Sequence, residues 1–225
     1  MTQTIIDEYH TYLNAVGFPC AGAKVAQAKR QIRCLVAGEL GSDLDDATIL
    51  QFLYDFIDEY RNSENIYYSA AVIFRESPLT EEVFDELMWQ RLQALHDRDI
   101  LRYSSDKRVD NDPFSPNFSY SLKEEALFII GMHAESCRLA RRFKYPTLAF
   151  NPHEQFQKLR SMNRYESLKD IIRRRDIAYS GSVNSMLDDF GGSSEVYQYS
   201  GRRYDNNWKC PLIINHGKTK YNTPS

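Results

Sequence analysis

Apolar residues recur at Ile5, Ile6, Tyr9, Tyr12 and Leu13, a spacing that predicts one helical face over residues 3–15. The stretch "GFPCAGAK" interrupts that face, and a second helix is predicted from about Ala21. "IRCLVAG" (32–38) reads as a strand closed by glycine. "SDLDDATILQFLYDFIDEY" places acids ahead of an apolar stripe, as a helix with a negative N-terminal turn does. "IYYSAAVIF" (66–74) is a predicted strand. The helix after it has Thr80 as its cap and apolar positions at Val83, Phe84, Leu87, Met88, Leu92 and Leu95. A polar loop with two prolines then covers residues 104–117.

The second half alternates faster. "FSYSL" and "ALFIIGMH" are predicted strands, "AESCRLARRF" a short helix and "TLAF" a buried strand. "NPHEQFQKLR" starts a helix with Asn151 as cap and Pro152 at the first helical position, and "YESLKDIIRRRDIA" supplies another. The rest is rich in Gly, Ser, Asn, Asp and Tyr and reads as an ordered wrapping segment. No repeat or linker divides the chain, so one α+β or α/β domain over residues 1–225 is expected, with a mixed sheet flanked by helices.

Strand 126–132, helix 134–143 and strand 147–150 form a strand-helix-strand unit. With both strands in one sheet this predicts a parallel pair and a right-handed crossover. His133 and His153 then fall at one edge of the sheet, where open α/β sheets bind ligands. Singly, each histidine is as well explained as a cap or a core imidazole; as a pair at one edge they become ligand candidates. His10, His96 and His216 carry no such pairing.

Composition narrows the chemistry. The 225 residues carry a net charge of −3, which attracts neither nucleic acid nor an anionic membrane surface. No apolar run reaches the ~18 residues of a membrane span, and the first residues lack the pattern of a secretory leader. Cys20, Cys34, Cys137 and Cys210 are scattered, with neither zinc-cage nor disulfide spacing, and a reducing cytoplasm is expected. No phosphate-binding glycine loop, nucleophile elbow or zincin motif is present; "DFG" at 189–191 lacks the other kinase motifs. Arginines crowd around the histidines: Arg138, Arg141, Arg142, Arg160, Arg164 and the run 173–175. Guanidinium forks pair with carboxylates and phosphates, so a small dianion is the favoured ligand, against the alternative of a solvated basic face.

The stretches "GFPCAGAK" (17–24), "LMWQRLQALHDRD" (87–99), "DPFSPNFSYSL" (112–122), "GMHAESCRLARRFKYPTLAFNPHEQFQKLR" (131–160), "IRRRDIAYSGSVNSMLDDFGGSSEVYQYSGRRY" (172–204) and "WKCP" (208–211) together resemble the YqcI/YcgG family. Its characterised members are haem-dependent N-hydroxylases acting on guanidine compounds and arginine. Ala134 stands where the family often has proline, and "NSM" (184–186) where it often has Asn-Pro-Met.

The resemblance implies haem b, with its iron, oxygen activation and hydroxylation of a nitrogen in a small cationic guanidine or amine substrate. It also implies an external electron donor such as a reductase or ferredoxin. A neutral imidazole is a common axial ligand; His153 is preferred, with His133 and then the Cys20 thiolate as alternatives. Arg138, Arg141, Arg142 and Arg160 become partners for the haem propionates. Phe143, Tyr145, Phe150 and Phe156 become packing for the macrocycle. A cationic substrate calls for carboxylates, and Asp188, Asp189 and Glu195 are the candidates, with Asn184 and Gln198 as hydrogen-bonding partners. The alternative within the same resemblance is a haem-binding or haem-sensing protein without turnover.

Overall fold

A computed structural model of the chain describes residues 2–76, 78–181, 191–205 and 207–214. Five strands form one mixed sheet in the order β1-β2-β5-β4-β3. They are β1 (Ile32–Ala37), β2 (Ser69–Phe74), β3 (Tyr120–Leu122), β4 (Glu125–Met132) and β5 (Thr147–Pro152). Only β1 and β2 run parallel; the β2–β5, β5–β4 and β4–β3 pairs are antiparallel. Helices cover both faces, and the fold class is α+β.

On one face lie α3 (Asp46–Arg61) and α4 (Glu81–Asp99), whose apolar stripes meet Val72, Phe74, Leu127, Ile129, Leu148 and Phe150. The Thr80 hydroxyl caps α4 by accepting the Val83 N–H at 3.4 Å, as its sequence predicts. On the other face, α1 (Thr2–Asn14) buries Ile5, Tyr9 and Leu13 at intervals of four beside α2 (Ala21–Ala28). Helices α5 (Glu154–Ser161) and α6 (Tyr165–Ser180) follow β5, and the short α7 (Val196–Tyr199) returns to the first face. Among the described residues, no helix is long and apolar enough to cross a membrane.

The β3–β4 hairpin turns on two residues, Lys123 and Glu124, both at positive φ (49° and 57°). That is the two-residue turn whose twist matches the strands, made here without the usual Asn-Gly. Arg61 holds it from outside, its Nη2 donating to the Lys123 and Glu124 carbonyls at 2.8 and 2.9 Å.

Two expectations need correction. Residues 134–143 are not a helix; the connection is open, with one 3-10 turn at Leu139–Arg141. It offers no apolar stripe, since Leu139 is exposed. Local bonds replace helical ones: Arg142 Nε donates to the Ser136 carbonyl at 2.6 Å, and the Arg138 N–H to Ser136 Oγ at 3.3 Å. Nor do Asn151 and Pro152 open a helix. β5 continues through both, Pro152 pairs with Leu127, and His153 takes the capping position of α5.

The strand-helix-strand unit fails with them. β4 and β5 are antiparallel, with Met132 opposite Thr147 and Leu127 opposite Pro152. His133 therefore leaves the sheet at one end and His153 at the other, about 20 Å apart at ~3.3 Å per residue. They do not share an edge.

Candidate functional site around His153 and Glu195

His153 stays tied to the sheet while it begins α5. Its N–H donates to the Ala126 carbonyl at 2.8 Å, and its own backbone is helical (φ −64°, ψ −36°). The ring is buried. Its Nδ1 lies 3.1 Å from Glu195 Oε1, and the side-chain Nε2 of Gln157, one turn along α5, lies 3.4 Å from the ring Nε2. A carboxylate accepts, so Nδ1 donates to Glu195, and in the neutral ring Nε2 is left as the acceptor that faces Gln157.

Glu195 is buried in turn. Its Oε2 accepts the Tyr199 hydroxyl at 3.3 Å, and that hydroxyl accepts the Tyr120 N–H at 3.1 Å. Tyr120 pairs with Leu127 across β3 and β4, so the carboxylate that orients His153 is itself anchored to the sheet. Burial first, then the neighbouring Glu195, pushes the Tyr199 phenol well above its ordinary value and keeps it protonated. Phe156 meets the His153 ring edge-on at 6.3 Å.

A charged cluster flanks the pair. Arg108 bridges Asp106 at 2.6 Å, Glu125 at 3.0 Å and Glu154 at 3.3 Å. Burial would raise Asp106, but hydrogen bonds from Arg108 and the Ala126 N–H outweigh it and hold the carboxyl below its usual range. Arg160 lies two turns beyond His153 on the same face of α5, about 10 Å along the axis. Its guanidinium sits 4.1 Å over the Tyr165 ring, and its buried Nη1 has no hydrogen-bond partner among the described residues.

The opposite end of the sheet is closed. His133 has no exposed surface, stacks on Phe84 at 4.4 Å and 22°, and makes no hydrogen bond from either ring nitrogen among the described residues. Burial lowers its pKa; Glu81, Glu135 and the Leu79 carbonyl, which does not reach hydrogen-bond geometry, pull the other way. It is a neutral core imidazole.

The arginines there are spoken for. Arg138 pairs with Asp176 at 2.5 Å, and Arg141 donates to the Tyr199 and Gly131 carbonyls at 2.8 and 3.3 Å. Burial, then Arg138, pulls Arg141 down to about 10. Arg142 is exposed and holds the Ser136 carbonyl. None of the three lies at the His153 end; of the four arginines expected to meet the propionates, only Arg160 does.

Phe150 is sealed in the core between the sheet and α3 and α4. Phe143 and Tyr145 pack against the α1 side. Cys20 caps α2, its sulfur accepting the Ala23 N–H at 3.4 Å, and burial pushes its thiol up, away from the thiolate. Gln198 is buried in α7. Asn184, Asp188 and Asp189 lie outside the described residues.

Sequence reasoning placed Glu195 near a substrate; the structure turns it to His153 and Tyr199. It missed Gln157 and Tyr199, although each stands four residues from its partner, the spacing at which helical neighbours meet. Among the described residues, no three His, Cys, Asp or Glu side chains converge as a metal cage. The arrangement presents one imidazole, fixed in tautomer and direction by a buried carboxylate, as a single nitrogen donor.

No curated protein and no solved structure matches the chain. The model of the YqcI/YcgG family matches residues 9–213, nearly its full length, and the chain belongs to the YqcI/YcgG family.

Proposed function

We propose that the chain is a cytoplasmic haem-dependent oxygenase that hydroxylates a nitrogen of a small guanidine or amine substrate, with His153 as the residue that would hold the iron. The observation that carries this reading is the buried Glu195–His153 pair. A metal-bound histidine usually gives its second N–H to a carboxylate, which raises the basicity of the ligating nitrogen. Here Nδ1 gives that proton to Glu195, and Nε2 already acts as an acceptor. Arg160 Nη1, without a hydrogen-bond partner among the described residues, would supply a donor for a propionate. These residues fit haem better than those around His133, whose ring is enclosed and stacked.

When bound, haem supplies the oxygen chemistry. The chain's own residues hold His153 in one tautomer, fix its direction through Tyr199 and Tyr120, and pack Phe156 beside it. Gln157 is exposed and would have to move aside from Nε2 for that nitrogen to bind a metal. Electrons come from an external donor.

Hemin titration followed by the Soret band tests the ligand. His153→Ala is expected to lose the band or shift it, and His133→Ala to keep it; the reverse pattern overturns the assignment. Glu195→Gln is expected to weaken hemin binding about 10- to 100-fold, the usual cost of removing such a partner. Turnover is tested by supplying reductant, oxygen and arginine-like compounds. A second reading, haem binding without turnover, is favoured by the engagement of Glu195, which leaves it no role toward a cationic substrate. It prevails if stoichiometric haem gives no hydroxylated product.

A further inference from the structure

Four oxidisable rings run from the His153 site to the surface. Tyr199, hydrogen-bonded to Glu195, lies 5.9 Å from Trp89 at an interplanar angle of 27°. Trp89 lies 5.8 Å from Trp208, and Trp208 stacks on Tyr204 at 3.7 Å and 17°. Tyr199 and Trp89 are buried, while Tyr204 and Trp208 are half-buried.

Oxidising a phenol or an indole by one electron makes its O–H or N–H strongly acidic. A buried ring is therefore a practical electron donor only with a proton acceptor in reach. Each polar ring of the set except the outermost has a carboxylate there. Tyr199 donates to Glu195 at 3.3 Å. Trp89 Nε1 donates to Asp85 at 3.2 Å, and the Tyr204 hydroxyl donates to the same oxygen at 2.5 Å. Asp85 is itself buried and is faced by Arg202 at 3.5 Å. A buried hydroxyl or indole N–H needs an acceptor of some kind; here each acceptor is a carboxylate, which can also take the proton. Phe128 and Phe156 also link Tyr199 toward His153, but phenylalanine resists oxidation, so the path enters through Glu195 and Tyr199.

We propose that Tyr199, Trp89, Tyr204 and Trp208 form a one-electron relay that carries oxidising equivalents from the His153 site to the surface. The source of those equivalents rests on the function proposed above; the rings and their bases do not. An oxidant at the site takes one electron from Tyr199, whose proton passes to Glu195. Trp89 returns an electron to Tyr199, which recovers its proton, and the Trp89 N–H passes its own to Asp85. Tyr204 or Trp208 then gives Trp89 an electron while Asp85 returns its proton. Tyr204 passes its own proton to Asp85 in exchange, whereas half-buried Trp208 loses its proton to solvent. A soluble reductant of the thiol or ascorbate class restores one electron and one proton to the outer ring. The relay lets an oxygen-activating site discharge without oxidising its own ligand when no substrate is present.

The test needs no haem. Gln157→Cys in a Cys137→Ser background places a ruthenium(II) polypyridyl label at the site end, because Cys137 is the exposed thiol among the four. Flash photolysis with hexaammineruthenium(III) as quencher then generates the oxidant. A neutral tryptophan radical is expected in transient absorption, lost in Tyr199→Phe and in Trp89→Phe. In Trp208→Phe, a half-exposed position that keeps the test readable if a core variant unfolds, the hole is expected to end as a tyrosine radical. A tryptophan radical of unchanged yield in folded Tyr199→Phe and Trp89→Phe, or no ring radical at all with the ruthenium oxidised, overturns the relay. Hemin titration judges the haem reading separately: a Soret band without a relay sinks only the relay, and a relay in a protein that takes up no hemin sinks only the haem reading.

Discussion

Replacing His133 by leucine should stabilise the protein, and increasingly so as the pH falls. Among the described residues the buried ring has no hydrogen bond at either nitrogen, a cost of about 1–3 kcal/mol that an apolar side chain of similar size removes. Leucine forfeits the stack on Phe84 at 4.4 Å, worth about 0.5–1.5 kcal/mol. The net gain near pH 8 is about 1 kcal/mol.

The pH dependence has a definite sign. Burial depresses the folded-state pKa of His133, so below the ordinary value of about 6.5 the unfolded chain takes up a proton that the folded chain refuses. Wild-type stability is lost there at up to about 1.4 kcal/mol per pH unit, until the pH reaches the depressed folded value. The gap between variant and wild type should therefore widen steadily as the pH falls below about 6.5. Asp99 works the other way, since burial pushes its carboxyl up to about 6, but it is common to both proteins and cancels. Urea unfolding at both pH values, with equal m-values, measures the gap. A variant less stable than wild type at pH 8, with a gap that stays flat toward pH 5.5, refutes the picture of a neutral, unpartnered ring.

Gly131→Ala should be destabilising, because a Cβ there would meet Phe84 Cε1 at 2.8 Å and the Tyr199 carbonyl at 3.1 Å. The expected loss is about 1–3 kcal/mol, read as a lower thermal midpoint. Replacing Lys123-Glu124 by Asn-Gly should raise the midpoint by the equivalent of about 1 kcal/mol, since both positions have positive φ. The backbone bonds from Arg61 survive that change, and the Lys123–Asp58 pair at 2.6 Å is lost; an unchanged midpoint would mean that this pair offsets the relief of the turn.

The helices that could be read from the chain were those with a one-sided apolar stripe. In α1, Ile5, Tyr9 and Leu13 mark the buried face directly, and Thr80 marks the start of α4. Strand direction was not legible. β4 and β5 are both largely buried, so their apolar runs look alike whichever way they point. The polar stretch between them suits a crossover helix or an open return equally by length. That single ambiguity moved His133 from beside His153 to the far end of the sheet. The Glu195–His153 contact spans 42 residues and leaves no local trace, whereas Gln157 and Tyr199 were visible as helical neighbours of known site residues.

The order of elements along the chain gives the site a schedule. All five strands are complete by Pro152, but Glu195 follows only after α6, in the segment whose α7 packs on β4. Arg141 latches that arrival, gripping the Tyr199 carbonyl from the β4–β5 connection. During synthesis the scaffold therefore emerges from the ribosome before its histidine has a carboxylate. A chain that ends before Glu195 would carry this imidazole without its carboxylate partner, and on the function proposed above its hemin uptake would depend on the C-terminal segment.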